Sequence, residues 1–318
     1  MSVLDLRDVS VEYRRRGGRP VRAVAGVSMT LEAGSVFGLV GESGCGKSTL
    51  ARAATGLVPL ASGEVLFEGR PVDGLSRLRR RSKDLLGLQM VFQDPYSSLN
   101  PRRRVRDQLG DSLRVAGVDE ARWPERITEL LEQVGMPASA ADDFPHEFSG
   151  GQRQRLCIAR VLAVEPSVIV ADEPISALDA SNQASVSKLL LRLGRELGVG
   201  ILFISHDLSI VRQIADDVTV MYLGRVVERG PSAKLWEAPQ HPYSEALIGA
   251  VPRADGSGTL PVFLEGEVPD PAAPPTGCRF HPRCPIAEER CSTDDPTLEH
   301  IGPDHTVACL LRTGIATR

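Results

Sequence analysis

Apolar and polar positions set out most of the elements before any chemistry is considered. Val3, Leu4, Leu6, Val9 and Val11 predict an edge strand, and Val24 to Leu31 predicts another. Ser35 to Val40 is a short apolar run ending in glycines, and Lys47 to Thr55 then reads as a helix. Glu64 to Phe67 and Leu88 to Phe92 are further strands. From about Arg102 to Leu162 the spacing turns helical, as in Ile127, Leu130, Leu131 and Val134. Val168 to Ala171 is continuously apolar, the pattern of a parallel strand buried on both faces. A helix over Asn182–Leu197, a strand over Ile201–Ser205 and a helix over Leu208–Ile214 follow. Val218–Leu223 and Arg225–Glu228 flank Gly224 as a hairpin. This alternation predicts an α/β core, with a small β layer at its start and a helical insert. Beyond Pro231, Leu235 to Val251 reads as mainly helical, and Pro252 to Pro275 is rich in Pro and Gly and reads as an extended linker.

Composition narrows the class. The 318 residues can bury a substantial core, with 42% hydrophobic and 25% charged residues. A net charge of −4 gives no sign of a nucleic-acid partner. No apolar run reaches the ~18 residues that a spanning helix needs, and the first residues lack a secretory pattern. The expectation is a cytosolic chain that meets a membrane only through a partner. Basic runs at Arg14–Arg16 and Arg79–Arg81 read as solvated surface.

The chemistry begins with Gly41-Glu42-Ser43-Gly44-Cys45-Gly46-Lys47-Ser48, a phosphate-loop pattern placed between a strand and a helix. Its glycines let backbone N–H groups curl around phosphate oxygens, and the helix adds its positive end. Lys47 is expected to reach the β- and γ-phosphates and Ser48 to hold Mg²⁺; Cys45 fills a variable position. Asp172 and Glu173 end the buried strand. A carboxylate there can bind Mg²⁺ through water, and a second beside it can orient or deprotonate the attacking water; Asp172 takes the metal role and Glu173 that of general base. Ser149-Gly150-Gly151-Gln152 opens another helix, with serine as N-cap. It is a second phosphate-binding device, which one nucleotide does not need, so it is expected to serve the nucleotide of another subunit.

With these motifs in this order, residues 1–250 resemble the ABC ATPase family. The resemblance implies an α/β fold: an ABC-type P-loop NTPase core over 1–250, with an antiparallel β subdomain and a helical subdomain over about 95–162. A Pro-rich linker and small Cys-rich extension follow over 251–318. It makes Phe148–Gln152 the signature motif, with Phe for the commoner Leu, and Gln93 the Q-loop glutamine, which joins Ser48 and Asp172 around Mg²⁺. Ser176-Ala177-Leu178-Asp179 becomes the D-loop and His206 the switch histidine. Tyr13 becomes the aromatic that stacks on adenine, beside ATP contacts over Gly41, Ser43, Gly44, Cys45, Gly46, Lys47, Ser48 and Thr49. A lone histidine is more often a satisfied structural residue and a lone strand tyrosine a core residue; the ordered set reverses both. The implied mechanism is a head-to-tail dimer holding two ATP molecules between the phosphate loop of one subunit and the signature of the other.

Phe92-Gln93-Asp94-Pro95-Tyr96-Ser97-Ser98-Leu99-Asn100-Pro101-Arg102 is similar to the Q-loop region of the dipeptide/oligopeptide permease ATPases. His241-Pro242-Tyr243, Leu264-Glu265-Gly266-Glu267 and Gly277–Pro285 add to that likeness, and Ala171–Ser176 resembles the second ATPase of the pair, the OppF/DppF-like type. The resemblance implies a heterodimer with a second ABC ATPase, two transmembrane permeases and an extracellular solute-binding protein, at the cytoplasmic face of the membrane. Arg102–Arg104 reads either as a docking feature for a permease or as solvated surface. Cys278, Cys284, Cys291 and Cys309 are spaced C-x5-C-x6-C-x17-C; disulfides, a Cys₄ zinc site and an iron–sulfur cluster all fit that spacing. The resemblance implies a [4Fe–4S] cluster. His281, His300 and His305 are candidate ligands beside these cysteines, with ordinary surface histidines the preferred reading. Import of another solute, such as nickel or glutathione, and a non-transport ABC ATPase are the alternatives to peptide import.

Overall fold

The computed structural model describes residues 2–14, 20–72, 82–251, 264 and 266–312. The Arg79–Arg81 run, Arg15 and Arg16, and most of the Pro-rich linker lie outside the described residues.

Two sheets organise the described residues. A four-stranded antiparallel sheet has the order β2(Val21–Glu32), β1(Ser2–Tyr13), β4(Ser62–Phe67), β5(Arg70–Pro71). The first strand is therefore internal and not the edge its alternation predicts, because β4 pairs along its free side from Leu4↔Phe67 to Ser10↔Ser62. The second sheet is built on four parallel strands, β6(Leu88–Val91), β7(Val168–Asp172), β8(Gly200–Ile204) and β3(Val36–Val40). β9(Asp217–Tyr222) lies parallel to β3, and its hairpin partner β10(Arg225–Pro231) continues the sheet. Two short strands from the end of the described chain, β11(Glu299–Gly302) and β12(His305–Val307), complete it, with β12 paired to β10. The cysteine-bearing segment thus shares a sheet with the nucleotide-binding core.

The central strands are buried on both faces, and their alternate residues feed different cores. In β7, Ile169 and Ala171 join one hydrophobic cluster, while Val168 and Val170 join the other. β8 divides the same way, with Ile201 and Phe203 opposite Leu202 and Ile204. Fully burying each of the larger of these side chains, such as Val168 or Leu202, contributes about 1.5–3 kcal/mol. One core faces the antiparallel sheet and α1(Lys47–Ala54). The other faces the helical layer: α2(Pro95–Ser98), α3(Val105–Ala116), α4(Trp123–Gln133), α5(Gly150–Leu162), α6(Ala180–Leu197) and α7(Leu208–Ile214). The single helical run expected over 235–251 is two short helices, α8(Ser232–Glu237) and α9(Pro242–Gly249). Pro239 lies between them, and His241 caps the second by accepting from Tyr243 N at 3.0 Å.

Candidate functional site

The phosphate loop follows β3 and leads into α1. Gly41 (φ 150°) and Gly46 (φ 107°) hold backbone conformations suited to glycine. A Cβ at Gly41 would lie 2.2 Å from Met221 O, and one at Gly46 2.2 Å from Ala23 O, so the loop is wedged between β9 and β2. Lys47, almost fully buried, turns back into the loop and donates to the carbonyls of Gly41 (2.7 Å) and Glu42 (3.0 Å). Cys45 is buried with its thiol 3.9 Å from Lys47 Nζ, and burial raises its pKa. Tyr13 stands at the end of β1, substantially exposed, with its hydroxyl 3.5 Å from Thr49 Oγ1. Ser43 and Gly44 lie in the turn of the loop, and no atom would meet a Cβ at Gly44 within 4 Å.

Ser48 Oγ, in the first turn of α1, donates to Asp172 Oδ1 at 2.8 Å. This pairs two oxygen-bearing groups suited to a hard cation such as Mg²⁺. Burial raises the Asp172 pKa, opposed by the Ser48 hydrogen bond. Glu173 follows with φ 47°, a conformation costly for a side-chain-bearing residue. It is fixed by Glu173 N donating to Ile204 O (3.0 Å) and Ser176 N donating to Glu173 O (3.3 Å). Its Oε2 accepts from Gln93 Nε2 at 3.2 Å and lies 3.3 Å from His206 Nδ1. Gln93, Glu173 and His206, widely separated in sequence, therefore meet beside the Ser48–Asp172 pair.

The second device lies elsewhere in the fold. Ser149 caps α5: its Oγ accepts from Gln152 N at 3.3 Å, and Gln152 Oε1 accepts from Ser149 N at 2.9 Å. A Cβ at Gly151 would lie 2.3 Å from Asn182 Oδ1, and one at Gly150 3.3 Å from Leu178 Cδ2. Asn182 is held by Asp179, which accepts from its backbone N (2.9 Å) and its Nδ2 (2.7 Å). Gly150, Gly151 and Asp179 are thus one packed unit, joined by Asn182, which sequence reasoning passed over. α5 packs on α2, α3, α4, α6 and β6, whereas α1 packs on β1, β2 and β7.

The basic run divides. Arg103 forms an ion pair with Asp111, while Arg104 donates to Asp142 O and lies over the Phe144 ring at 5.2 Å. Arg103 and Arg104 therefore brace the helical layer, whereas Arg102 is exposed, as the solvated reading expects. Near them, Phe92 and Val115 are exposed and line a groove of about 830 Å³ with Gln93, Ser97 and Arg160.

All four C-terminal cysteines line one small cavity, closed by Phe280, Leu310 and Leu311 and bordered by His281. Their sulfurs are unbridged. Among the described residues no group of three or more His, Cys, Asp or Glu is arranged to hold a metal ion. Burial pushes the Cys278 thiol up to about 11 and raises Cys284, and the other cysteines add to both shifts. Clustered thiolates are thus costly here without a bound cation. Gly277 (φ 63°) lets the chain pass Cys291 O, which accepts from Cys278 N at 2.9 Å. His300 is exposed, but His305 is not a surface histidine: it is buried, with Nε2 2.8 Å from Glu228 Oε1.

The ABC transporter family profile matches residues 24–176, and the profile of the oligopeptide/dipeptide transporter C-terminal region matches residues 227–291. The oligopeptide transport ATP-binding protein AppF of Bacillus subtilis (strain 168) is 44% identical over 98% of this chain and 97% of its own. The di/tripeptide transport ATP-binding protein DppF of Pseudomonas aeruginosa (strain UCBPP-PA14) is 45% identical over 97% of each. Among solved structures, cbiO1 from Clostridium perfringens, part of the ABC transporter complex cbiONQ, aligns with a TM-score of 0.65 and 30% identity. That alignment covers 74% of this chain and 91% of that one. The ATP-binding cassette MJ0796 shares the fold with a TM-score of 0.61 at 24% identity, over 72% of this chain and 98% of its own.

Proposed function

The chain belongs to the ABC transporter family of ATP-binding, ATP-hydrolysing proteins, and from that premise we propose that it drives import of di- and oligopeptides as one ATPase of a membrane complex. The observation that carries the catalytic assignment is the Glu173 carboxylate, held between Gln93 and His206 beside the Ser48–Asp172 pair. In this reading the phosphate loop and Lys47 bind the triphosphate, while Ser48, Asp172 and Gln93 hold Mg²⁺. Glu173 takes the proton of the attacking water, His206 meets the γ-phosphate and Tyr13 stacks on adenine. Mg²⁺, when bound, neutralises charge on the β- and γ-phosphates; the protein groups supply position and preorganised charge.

Ser149, Gly150, Gly151 and Gln152 grip the nucleotide of a second ATPase, with Asp179 beside them. The separate packing of α5 and α1 supports two anion sites that serve different nucleotides. No helix of the described residues is long and apolar enough to cross a membrane. Docking on two permeases at the cytoplasmic face, through the groove flanked by Phe92 and Val115, fits that finding. Peptide import, with a solute-binding protein outside, is supported by relatives matching nearly end to end.

The reading of a [4Fe–4S] cluster on the four cysteines rests on their lining one small cavity together. The cluster's role in this reading is structural, holding a segment with little core of its own. Protein purified anaerobically is expected to be brown, with iron and sulfide in stoichiometric amounts; stoichiometric zinc in colourless protein rejects the cluster. The import assignment is tested by purification from membranes and reconstitution. Two permeases and a second ATPase are expected to co-purify, and peptide uptake to depend on ATP; a complex that hydrolyses ATP but moves no peptide rejects it.

A further inference from the structure

The phosphate loop has a support that no nucleotide motif contains. Glu42, in the variable part of the loop, receives both guanidinium nitrogens of Arg283: Nη1 to Oε2 at 2.8 Å and Nη2 to Oε1 at 3.0 Å. Arg283 lies 241 residues away, immediately before Cys284, and its side chain is only 4% exposed. Its Nη1 is also 3.4 Å from Tyr222 Oη, and its guanidinium lies 5.8 Å from the Tyr222 ring centre. Tyr222, Tyr243 and Phe280 form a buried cluster of three rings behind it. Tyr243 Oη accepts from Glu42 N at 2.8 Å, so this loop N–H is spent on holding the loop. Arg279, four residues before Arg283, donates to Leu223 O in the β9–β10 turn. The next residue of that turn, Gly224, donates its N–H to Cys45 O at 2.7 Å.

We propose that Arg283 is a positioning residue of the ATP site: it fixes and neutralises the Glu42 carboxylate, so that the loop presents its N–H groups to a triphosphate without a competing negative charge. The inference rests on the ATP-site reading above. Two features favour positioning over simple packing. The pair is bidentate, which fixes direction as well as distance. It also lies inside the loop that must accept an anion, where an uncompensated carboxylate opposes binding directly.

The test uses the full chain for ATP binding and the assembled transporter for turnover. Arg283→Met is expected to raise the ATP dissociation constant and KM at least about tenfold while kcat changes less than about threefold. Arg283→Lys keeps the charge but not the fork and is expected to fall between. The deciding variant is Arg283→Met/Glu42→Gln, which removes both charges. It is expected to recover most of the lost affinity. If Arg283→Met does not fold, the double variant is compared with Glu42→Gln alone, and near-wild-type affinity in both supports the proposal. Wild-type affinity in Arg283→Met overturns it. So does a double variant as weak as Arg283→Met, which would make the arginine merely a packing element. A wild-type chain that binds no ATP would instead overturn the ATP-site reading, so the two failures are distinguishable.

Discussion

Glu173→Gln separates the chemistry of the site from its architecture. The amide keeps the size of the carboxylate and the backbone that presents it, including φ 47° and the bonds to Ile204 O and from Ser176 N. It loses the charge and the basic oxygen that sits 3.2 Å from Gln93 Nε2 and 3.3 Å from His206 Nδ1. General-base assistance contributes roughly 10²–10⁴ in rate, or about 3–5 kcal/mol of barrier. A loss of that size in kcat is expected, with ATP affinity within about threefold and an unchanged unfolding temperature. The assay is Mg²⁺-dependent phosphate release by the assembled complex. The partner ATPase carries an inactivated phosphate loop, so that residual turnover belongs to this chain. A decrease smaller than about threefold would remove Glu173 from the base role and leave Gln93 and His206 as the groups to examine.

Other outcomes follow from packing and charge. Gly151→Ala places a methyl 2.3 Å from Asn182 Oδ1 and 2.9 Å from Asn182 Cβ, while Asp179 holds Asn182 in place. Overpacking of this kind costs about 1–3 kcal/mol; the melting temperature is expected to fall by several degrees and ATP-driven transport at least tenfold, read by calorimetry and uptake. His241 is buried, and burial lowers its pKa from 6.5 to about 4. A depressed folded value makes its stabilising contribution complete above 6.5 and lost as pH falls from 6.5 through about 4, amounting to about 3 kcal/mol at most. His241→Asn can still cap α9 and is expected to flatten that slope in urea titrations between pH 7 and 4. Glu228→Gln weakens the buried carboxylate that accepts from Gln240 N, His241 N and His305. Burial raises this acid, yet those hydrogen bonds together hold it below its ordinary value of 4.5. Its share of stability is therefore lost only as pH falls below about 4.5, and the substitution is expected to remove that acid-side loss, measured by the same titration.

The nucleotide motifs and the α/β alternation were legible because each is local. A glycine loop, a buried strand ending in Asp172-Glu173 and a serine cap on α5 are all contained in a few consecutive residues. The misreadings involve distant partners. β1 alternates like an edge strand, and only its pairing with β4 makes it internal. β11 and β12 span four and three residues, too short for a period to register. His305 reads as a surface residue until Glu228, 77 positions earlier, is placed beside it. A longer separation, 241 residues, hid Arg283 from Glu42, since neither residue carries a local signal of the other.

The route of the chain through the main sheet also sets an order of assembly. Residues 41–48 leave the ribosome long before Arg279 and Arg283, which brace the loop and the turn beside it, and before β12, which pairs with β10. A nascent chain released to residue 250 would carry every motif for gripping a triphosphate, with Glu42 still uncompensated and the outer side of β10 still unpaired. Arrested chains of increasing length are therefore expected to gain tight ATP retention only after residues 279–309 emerge, so that the enzyme becomes competent late in its own synthesis.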